Sequence, residues 1–108
     1  MVAQGMYVVI RQGKYPARFR LEATAEFREL QKIHSSQPGY QGTTVAHLGQ
    51  GRYVTVTAWE TEHDMHAARK PLQSMADRLL NTHMLEPSDL IGTGPVVYCD
   101  SGDNAGDR

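Results

Sequence analysis

Segment 37–60 constrains the fold more than any other part of this chain, because it contains a helix stop, two strand-like stretches and the only tryptophan. Pro38 lacks an amide donor and Gly39 readily adopts left-handed backbone angles, so a helix before them must end there. The stretches Tyr40–Leu48 and Arg52–Glu60 are joined by Gly-Gln-Gly, whose glycines allow the positive φ angles of a tight turn. The segment therefore predicts a β-hairpin.

The second strand of this hairpin has two faces, and neither is suited to full solvation. Strand geometry places consecutive side chains on opposite sides of the sheet. One face receives aromatic and hydroxyl side chains and the other receives small apolar ones; the first set is Tyr53, Thr55, Thr57 and Trp59, and the second is Val54, Val56 and Ala58. We expect both faces to be covered.

The residues before the hairpin predict a strand and an amphipathic helix. Met6–Arg11 has the β-branched and aromatic content of a buried strand. From about Ala17, apolar residues recur with a period of about 3.6 residues, which predicts a helix that ends near Ser36. Its apolar stripe contains Phe19, Ala23, Phe27, Leu30, Ile33 and His34.

The residues after the hairpin predict a second helix, a long loop and a last strand. Thr61 can cap a helix whose first turn contains Asp64, and Pro71 predicts a kink or a division into two shorter helices. Segment 81–95 is rich in proline and glycine, which favours a loop. Val96–Cys99 then has the composition of a short strand.

The predicted order is β-α-β-β-α-β, the ferredoxin-like split βαβ arrangement of the α+β class with an antiparallel sheet. Residues 1–100 are predicted to form a single domain, and residues 101–108, which lack an apolar anchor, a disordered polar tail. Both helices cover one face of such a sheet and leave apolar side chains on the other. Because exposed apolar faces mark interfaces and most soluble oligomers are symmetric, we predict a homodimer.

The composition excludes several classes of protein. The 11 basic and 12 acidic residues nearly balance, so the chain lacks the positive surface that binds nucleic acid or an anionic membrane. No apolar run reaches the roughly 20 residues that span a bilayer, and we expect neither a membrane span nor a secretory leader. The single cysteine, Cys99, excludes an intrachain disulfide and a multi-thiolate metal site. We therefore expect a cytoplasmic protein.

The helix stop and the strand that ends in tryptophan resemble those of the antibiotic biosynthesis monooxygenase family of dimeric α/β barrels. The resemblance spans about Met6 to Leu80 and is carried by Gln-Pro-Gly-Tyr at 37–40, by Arg-Tyr-Val-Thr-Val-Thr-Ala-Trp-Glu at 52–60 and by the helix start at Thr61. It implies a barrel formed by two ferredoxin-like subunits. Members of the family include cofactor-free oxygenases that convert aromatic polyketide phenols to quinones, and haem-degrading oxygenases.

The resemblance assigns Trp59 to the site, since a tryptophan in this place is proposed to act in the quinone-forming members. Thr55 stands where those enzymes carry an asparagine, so the oxyanion-binding part of their mechanism differs here. The haem-degrading members are less similar, because they use an asparagine on the first strand, a tryptophan where Ala67 and Ala68 lie, and a histidine near the position of Arg78. Haem degradation is therefore not the expected activity.

Three residues on the Trp59 face form the predicted ligand site. Trp59 can stack on an aromatic ligand or donate its indole N–H, while Tyr53 and Thr55 supply hydroxyls that can orient the ligand. The structural alternative is that Trp59 anchors the packing of the barrel wall and that tyrosine and threonine simply favour strands.

Histidine is the side chain best suited to ionise a phenol, because its ordinary pKa lies near neutral pH. His63 and His66 lie three residues apart at the start of the second helix, and we predict His66 as the catalytic base. Two histidines at this spacing do not match the four-residue helical zinc motif, so no metal is predicted. His34 has a structural interpretation, since a protonated imidazole favours the negative end of the first helix.

The resemblance, taken with these residues, implies a cofactor-independent monooxygenase that oxidises a small aromatic or polyketide-like compound. The sequence contains no flavin or nicotinamide fingerprint and no nucleophile motif, so we predict no cofactor. The substrate must then be electron-rich enough to react with oxygen once it is deprotonated. The alternatives are a non-catalytic protein of the same fold that binds a small hydrophobic ligand, and an isomerase or cyclase.

Overall fold

A computed structural model describes residues 5–83 and 85–100, and it has the predicted element order. The strands are β1 (Tyr7–Lys14), β2 (Tyr40–Gly49), β3 (Arg52–Trp59) and β4 (Glu86–Pro95), and the helices are a short 3-10 helix (Leu21–Ala23), α1 (Ala25–Ser36) and α2 (Glu62–His83). The strands form one antiparallel sheet in the order β2-β3-β1-β4. This confirms the ferredoxin-like α+β prediction. The polar tail predicted at residues 101–108 lies outside the described residues.

The hairpin is confirmed and depends on three consecutive residues with positive φ. Gly49, Gln50 and Gly51 have φ angles of 97°, 55° and 80°. The amide of Tyr15 donates to the carbonyl oxygen of Gly51 over 2.8 Å, which ties the turn to the end of β1. A Cβ atom on Gly51 would collide with the carbonyl oxygen of Tyr15, whereas one on Gly49 would meet no atom within 4 Å.

The first helix begins later than predicted. The chain forms the 3-10 helix at Leu21–Ala23, and α1 starts only at Ala25. Thr24 is its N-cap, because its side-chain oxygen accepts a hydrogen bond from the amide of Phe27 at 3.1 Å. The apolar residues keep the same helical spacing through the 3-10 helix and α1. The spacing alone therefore predicted the start of the α-helix too early.

The second helix is continuous, and the predicted division at Pro71 is wrong. The amide of Asp64 donates to the Thr61 side-chain oxygen at 3.0 Å, so the predicted cap is confirmed. α2 then runs to His83 with Pro71 inside it. Proline removes the donor to the carbonyl of Ala67, and Ala67 is exposed, so water can satisfy that carbonyl. None of the described helices combines the length and apolar character needed to cross a bilayer.

The predicted loop at 81–95 and the predicted strand at Val96–Cys99 are wrong. Most of that segment is β4, which pairs with β1 from Lys14↔Glu86 to Tyr7↔Pro95. The pairing register between β1 and β4 shifts twice, between Ile10 and Arg11 and between Gln12 and Lys14. Such shifts are typical of β-bulges, in which one strand contains an extra residue. The amide of Val96 still donates to the carbonyl oxygen of Met6, and the carbonyl oxygen of Val96 accepts from the amide of Gly5. Residues 96–100 are nevertheless not part of the strand. Pairing with β1 outweighs the weak strand propensity of the proline- and glycine-rich segment.

Alternate side chains of β3 lie on opposite faces of the sheet, as the sequence pattern predicts. Tyr53 and Trp59 are each only 2% exposed and pack in two core clusters on the side of the helices, one with Tyr15 and Leu21 and one with Met65 and Ala68. The opposite face carries the outward side chains of β3 and β1, which keep part of their surface exposed: Val54, Val56, Val8 and Ile10. We call this second set the outer face.

We expect Gly51→Ala to destabilise the protein more than Gly49→Ala, although both positions have positive φ. Both substitutions carry the cost of a left-handed alanine, about 1–2 kcal/mol. Only Gly51→Ala also forces a methyl group against the Tyr15 backbone, which adds about 1–3 kcal/mol. Urea unfolding of the two variants tests this, and equal free energies of unfolding would contradict the close approach seen at Gly51.

Candidate functional site

A cavity of about 550 Å³ lies between the helical face of the sheet and the helices. Its volume falls within the range of small-molecule sites, roughly 300–1,000 Å³. Its lining is graded, since buried side chains such as Trp59 and Met65 lie on one part of the wall, and the exposed charged residues Arg11, Arg69 and Asp77 lie on another. The exposed charges mark the mouth, and the buried side chains mark the interior.

Trp59 is the largest fully buried side chain of the described residues and forms part of the cavity wall. It ends β3 and contacts Met65 and Ala68 of α2. Its ring meets Tyr40 edge to face at 5.7 Å between centroids and lies 6.3 Å from the ring of His34. The tryptophan is therefore both a packing anchor and a cavity residue, so the two sequence interpretations are compatible.

Tyr53 and Thr55 also line the cavity, but only one of their hydroxyls is available to a ligand. The hydroxyl of Tyr53 donates to the carbonyl oxygen of Phe19 at 2.8 Å and accepts from the amide of Leu21 at 3.4 Å. It thus holds the backbone around the 3-10 helix. The half-buried hydroxyl of Thr55 has no hydrogen-bond partner among residues 5–83 and 85–100.

The structure does not bring His66 to the other predicted site residues. Its ring is 54% exposed, and its Nε2 lies 3.3 Å from the Glu62 carboxylate one turn earlier on α2. Neither His66 nor the exposed His63 lines the cavity. The predicted base therefore lies on the exterior of the helix, in an ordinary surface pair.

His34, unlike His63 and His66, lines the cavity. Its Nδ1 lies 3.2 Å from the carbonyl oxygen of Leu30, and because a carbonyl can only accept, Nδ1 carries the hydrogen. The lone pair of the neutral ring is then on Nε2. Burial lowers the pKa of His34 below its ordinary value of 6.5, against the smaller opposing effect of the Leu30 carbonyl. The ring is neutral at pH 7 and can accept a proton, which differs from the protonated structural role predicted from its position.

Gln31, one turn before His34, presents an unpaired amide oxygen beside the cavity. Its Nε2 donates to the hydroxyl of Tyr40 at 3.2 Å, that hydroxyl lies 2.8 Å from Thr43 Oγ1, and Thr43 Oγ1 lies 3.5 Å from Thr57 Oγ1. The Oε1 atom of Gln31 is buried and has no partner in the part of the chain that the structure describes. Sequence reasoning missed Gln31 because it is a polar residue at the edge of the apolar stripe.

Tyr15 adds a proton donor to the cavity wall. Burial, with a smaller contribution from the nearby Tyr53, raises the pKa of Tyr15 to about 12. Its hydroxyl therefore stays protonated at neutral pH. It can donate to a negative oxygen, but it cannot act as a base. Among the described residues, no group of three or more histidine, cysteine or acidic side chains could hold a metal ion.

Solved structures share this architecture over nearly the whole chain. SnoaB, a cofactor-independent oxygenase from Streptomyces nogalater, has a TM-score of 0.66 at 16% identity, with 92% of this chain and 99% of SnoaB covered. A candidate antibiotic biosynthesis monooxygenase from Bordetella bronchiseptica has a TM-score of 0.66 at 21% identity, with 88% and 100% covered. Another from Nitrosomonas europaea has a TM-score of 0.62 at 21% identity, with 91% and 96% covered.

The fold is that of the antibiotic biosynthesis monooxygenases. No protein-family model and no curated protein sequence matches the chain. The resemblance predicted from the hairpin is confirmed in the architecture that the chain shares with the structures named after this family. At these identities the likeness extends to the fold alone, so the chemistry must be argued from the cavity.

Proposed function

We propose that this protein is a cofactor-independent monooxygenase that oxidises a small aromatic or polyketide-like phenol. The observation that carries the proposal is a neutral histidine, His34, beside the buried ring of Trp59 in a cavity of ligand size. A phenol needs a base and an apolar slot for its ring, and these residues supply both. The description of SnoaB as a cofactor-independent oxygenase supports the same class of reaction.

The proposed reaction begins with proton transfer from the phenol to Nε2 of His34. The resulting phenolate is electron-rich and reacts with O2; one oxygen atom enters the ring to give a quinone, and the other leaves as water. Trp59 packs against the ring, and Thr55 orients a polar substituent. Tyr15 remains protonated and can donate to negative charge that develops on an oxygen atom. We assign the role predicted for His66 to His34, because His34 lines the cavity and His66 does not.

A non-catalytic ligand-binding protein is the second candidate. Thr55 favours it, because the quinone-forming relatives that the hairpin resembles carry an asparagine there. Both candidates require binding in the same cavity, so they differ only in whether oxygen is consumed.

We expect oxygen uptake when the protein is mixed with naphthalenediols, and Trp59→Phe should lower kcat roughly tenfold or more because the smaller ring positions the substrate less well. An oxygen electrode measures the rate. Tyr98→Phe is the matched control, since Tyr98 is 77% exposed and should leave the rate unchanged. Binding without oxygen uptake, seen as a change in Trp59 fluorescence, would refute the monooxygenase and favour the ligand-binding protein.

The pH dependence of kcat/KM should report the lowered pKa of His34. The neutral ring is the active form, so kcat/KM should rise with pH, reach half its plateau below pH 6.5 and then stay constant to neutral pH. His34→Gln should lower kcat/KM by about 10²-fold or more and remove this acidic limb. The same substitution at the exposed histidine, His66→Gln, is the control and should have little effect. If His66→Gln abolished activity and His34→Gln did not, the assignment would be wrong.

We also propose that the protein is a homodimer in which the outer faces of two sheets meet. Val56 pairs across the sheet with Ile10 and Thr44, so it lies near the middle of this face. The nearby end of β2 adds Leu48, which is 52% exposed. A second copy offers an identical apolar face, and a two-fold axis makes the contact self-complementary.

Sedimentation should therefore give a particle of twice the 12.0 kDa chain mass. Val56→Glu places a charge in the proposed interface and should shift the protein to monomers, whereas Lys32→Glu on the exposed side of α1 should not. Circular dichroism of both variants checks that the subunit is folded. A monomeric wild-type protein would exclude the dimer without affecting the cavity proposal.

A further inference from the structure

The amide oxygen of Gln31 has no role in the proposed reaction. Its buried Oε1 has no partner in the described residues, although the same side chain is held in place by the Tyr40 hydroxyl. An acceptor buried without a donor costs about 1–3 kcal/mol, and folded proteins satisfy nearly all such groups. Gln31 lines the cavity, so a molecule in the cavity can supply the missing donor.

The direction of the hydrogen-bond chain explains why this oxygen is left for a ligand. The amide NH2 donates to Tyr40, and the Tyr40 hydroxyl can then donate to Thr43 at 2.8 Å. One N–H of the amide is thus used within the protein, whereas the oxygen has no donor among the described residues. The Tyr40 hydroxyl fixes the rotamer of Gln31, so the oxygen is preorganised before a ligand enters.

Gln31 and His34 are neighbours on one face of α1, because residues three apart on a helix lie about 5–6 Å from each other at Cβ. Nε2 of His34 is an acceptor, and Oε1 of Gln31 is a second one. Two adjacent acceptors require two donors from the ligand. A ring that carries a single hydroxyl could satisfy one of them only.

We propose that the Gln31 amide oxygen accepts a hydrogen bond from a second hydroxyl of the substrate, so that the cavity selects an aromatic diol over a monophenol or an aryl ether. This inference rests on the proposed function, because it takes the cavity to bind an aromatic phenol. Gln31 is then a specificity-determining residue: it contacts the substrate at the hydroxyl that is not ionised, while His34 serves the hydroxyl that is.

When the cavity holds no ligand, a water molecule can enter it and supply the donor. A ligand that enters without its own hydroxyl displaces this water and leaves the oxygen unpaired, so it loses affinity. A diol replaces the water with an equivalent bond. The selectivity therefore arises from the penalty paid by the wrong ligand, which is how a buried polar group discriminates between substrates.

The test compares a naphthalenediol that has both hydroxyls on one ring with its dimethyl ether, which keeps the ring system and removes both donors. Trp59 is the only tryptophan and lines the cavity, so its fluorescence reports binding of either probe. The wild-type protein should bind the diol more tightly than the ether. In Gln31→Met, which keeps the length of the side chain without the amide, the diol-to-ether affinity ratio should fall roughly five- to tenfold, the value of one neutral hydrogen bond.

Two further variants separate recognition from a merely structural role. Gln31→Leu should give the same fall in the ratio, and it replaces the methionine variant if that does not fold. Glu29→Leu, an exposed position on the same helix, should leave the ratio unchanged. Loss of affinity for both probes by the same factor would indicate that Gln31 only supports the fold and would overturn the inference.

The remaining outcomes distinguish this inference from the proposed function. An unchanged ratio in both Gln31 variants, with tight binding of the diol, would overturn the role of Gln31 and leave the aromatic-ligand proposal standing. Failure of either probe to change Trp59 fluorescence in the wild-type protein would overturn both. A lowered ratio in the Gln31 variants without oxygen uptake by the wild type would support the recognition role and refute the monooxygenase.

Discussion

Burial of one face of β3 against the helices is the interaction on which the rest of the structure depends. β3 pairs with β1 on one side and β2 on the other, so its side chains lie at the centre of both faces of the sheet. Tyr53 and Trp59 occupy the two ends of its helical face, six residues apart, and each anchors a separate core cluster. Between the clusters the face carries only Thr55 and Thr57, whose small side chains do not fill the space up to the helices. The cavity is the gap between the two anchored ends.

This arrangement also explains the chemistry of the cavity wall. α1 passes over the Trp59 end, where its apolar stripe becomes polar at Gln31 and His34. Burial there disfavours charge, so the pKa of His34 is lowered and the ring stays neutral, while the Leu30 carbonyl fixes which nitrogen carries the hydrogen. The two polar residues are stable inside only because backbone and side-chain partners satisfy most of their groups. Among the described residues, the amide oxygen of Gln31 remains without a partner, and Gln31 lines the cavity.

Local sequence signals predicted most of the fold, and long-range pairing decided the part that they missed. The hairpin, the Thr61 cap and the alternation of β3 follow from residues close together in the chain, and all three appear as predicted. β4 was not predicted, because its prolines and glycines favour a loop and its strand form depends on β1, more than 70 residues earlier in the chain. The continuity of α2 through Pro71 likewise depends on context that propensity does not contain.

Only part of the candidate site could be predicted from the sequence. Trp59, Tyr53 and Thr55 share a strand face, so period two places them together and the structure agrees. Whether a hydroxyl is available to a ligand could not be predicted, since the partner of Tyr53 lies in a segment more than 30 residues away. His34 was within the predicted apolar stripe, and a histidine on such a stripe is the signal that favours it over the histidines of α2.

Alternate residues of β3 lie on opposite faces of the sheet and therefore have different surroundings. Trp59, Thr57 and Thr55 turn toward the cavity, while Val56 and Val54 turn toward the outer face. A substitution on one face leaves the side chains of the other in place, because neighbouring residues on a strand do not share packing partners. The proposed binding in the cavity and the proposed association through the outer face are therefore expected to be energetically independent, with effects that add for distant sites. Only a change that alters the strand itself, such as a shift of register at the Gly-Gln-Gly turn, would exchange the two faces and remove both properties at once.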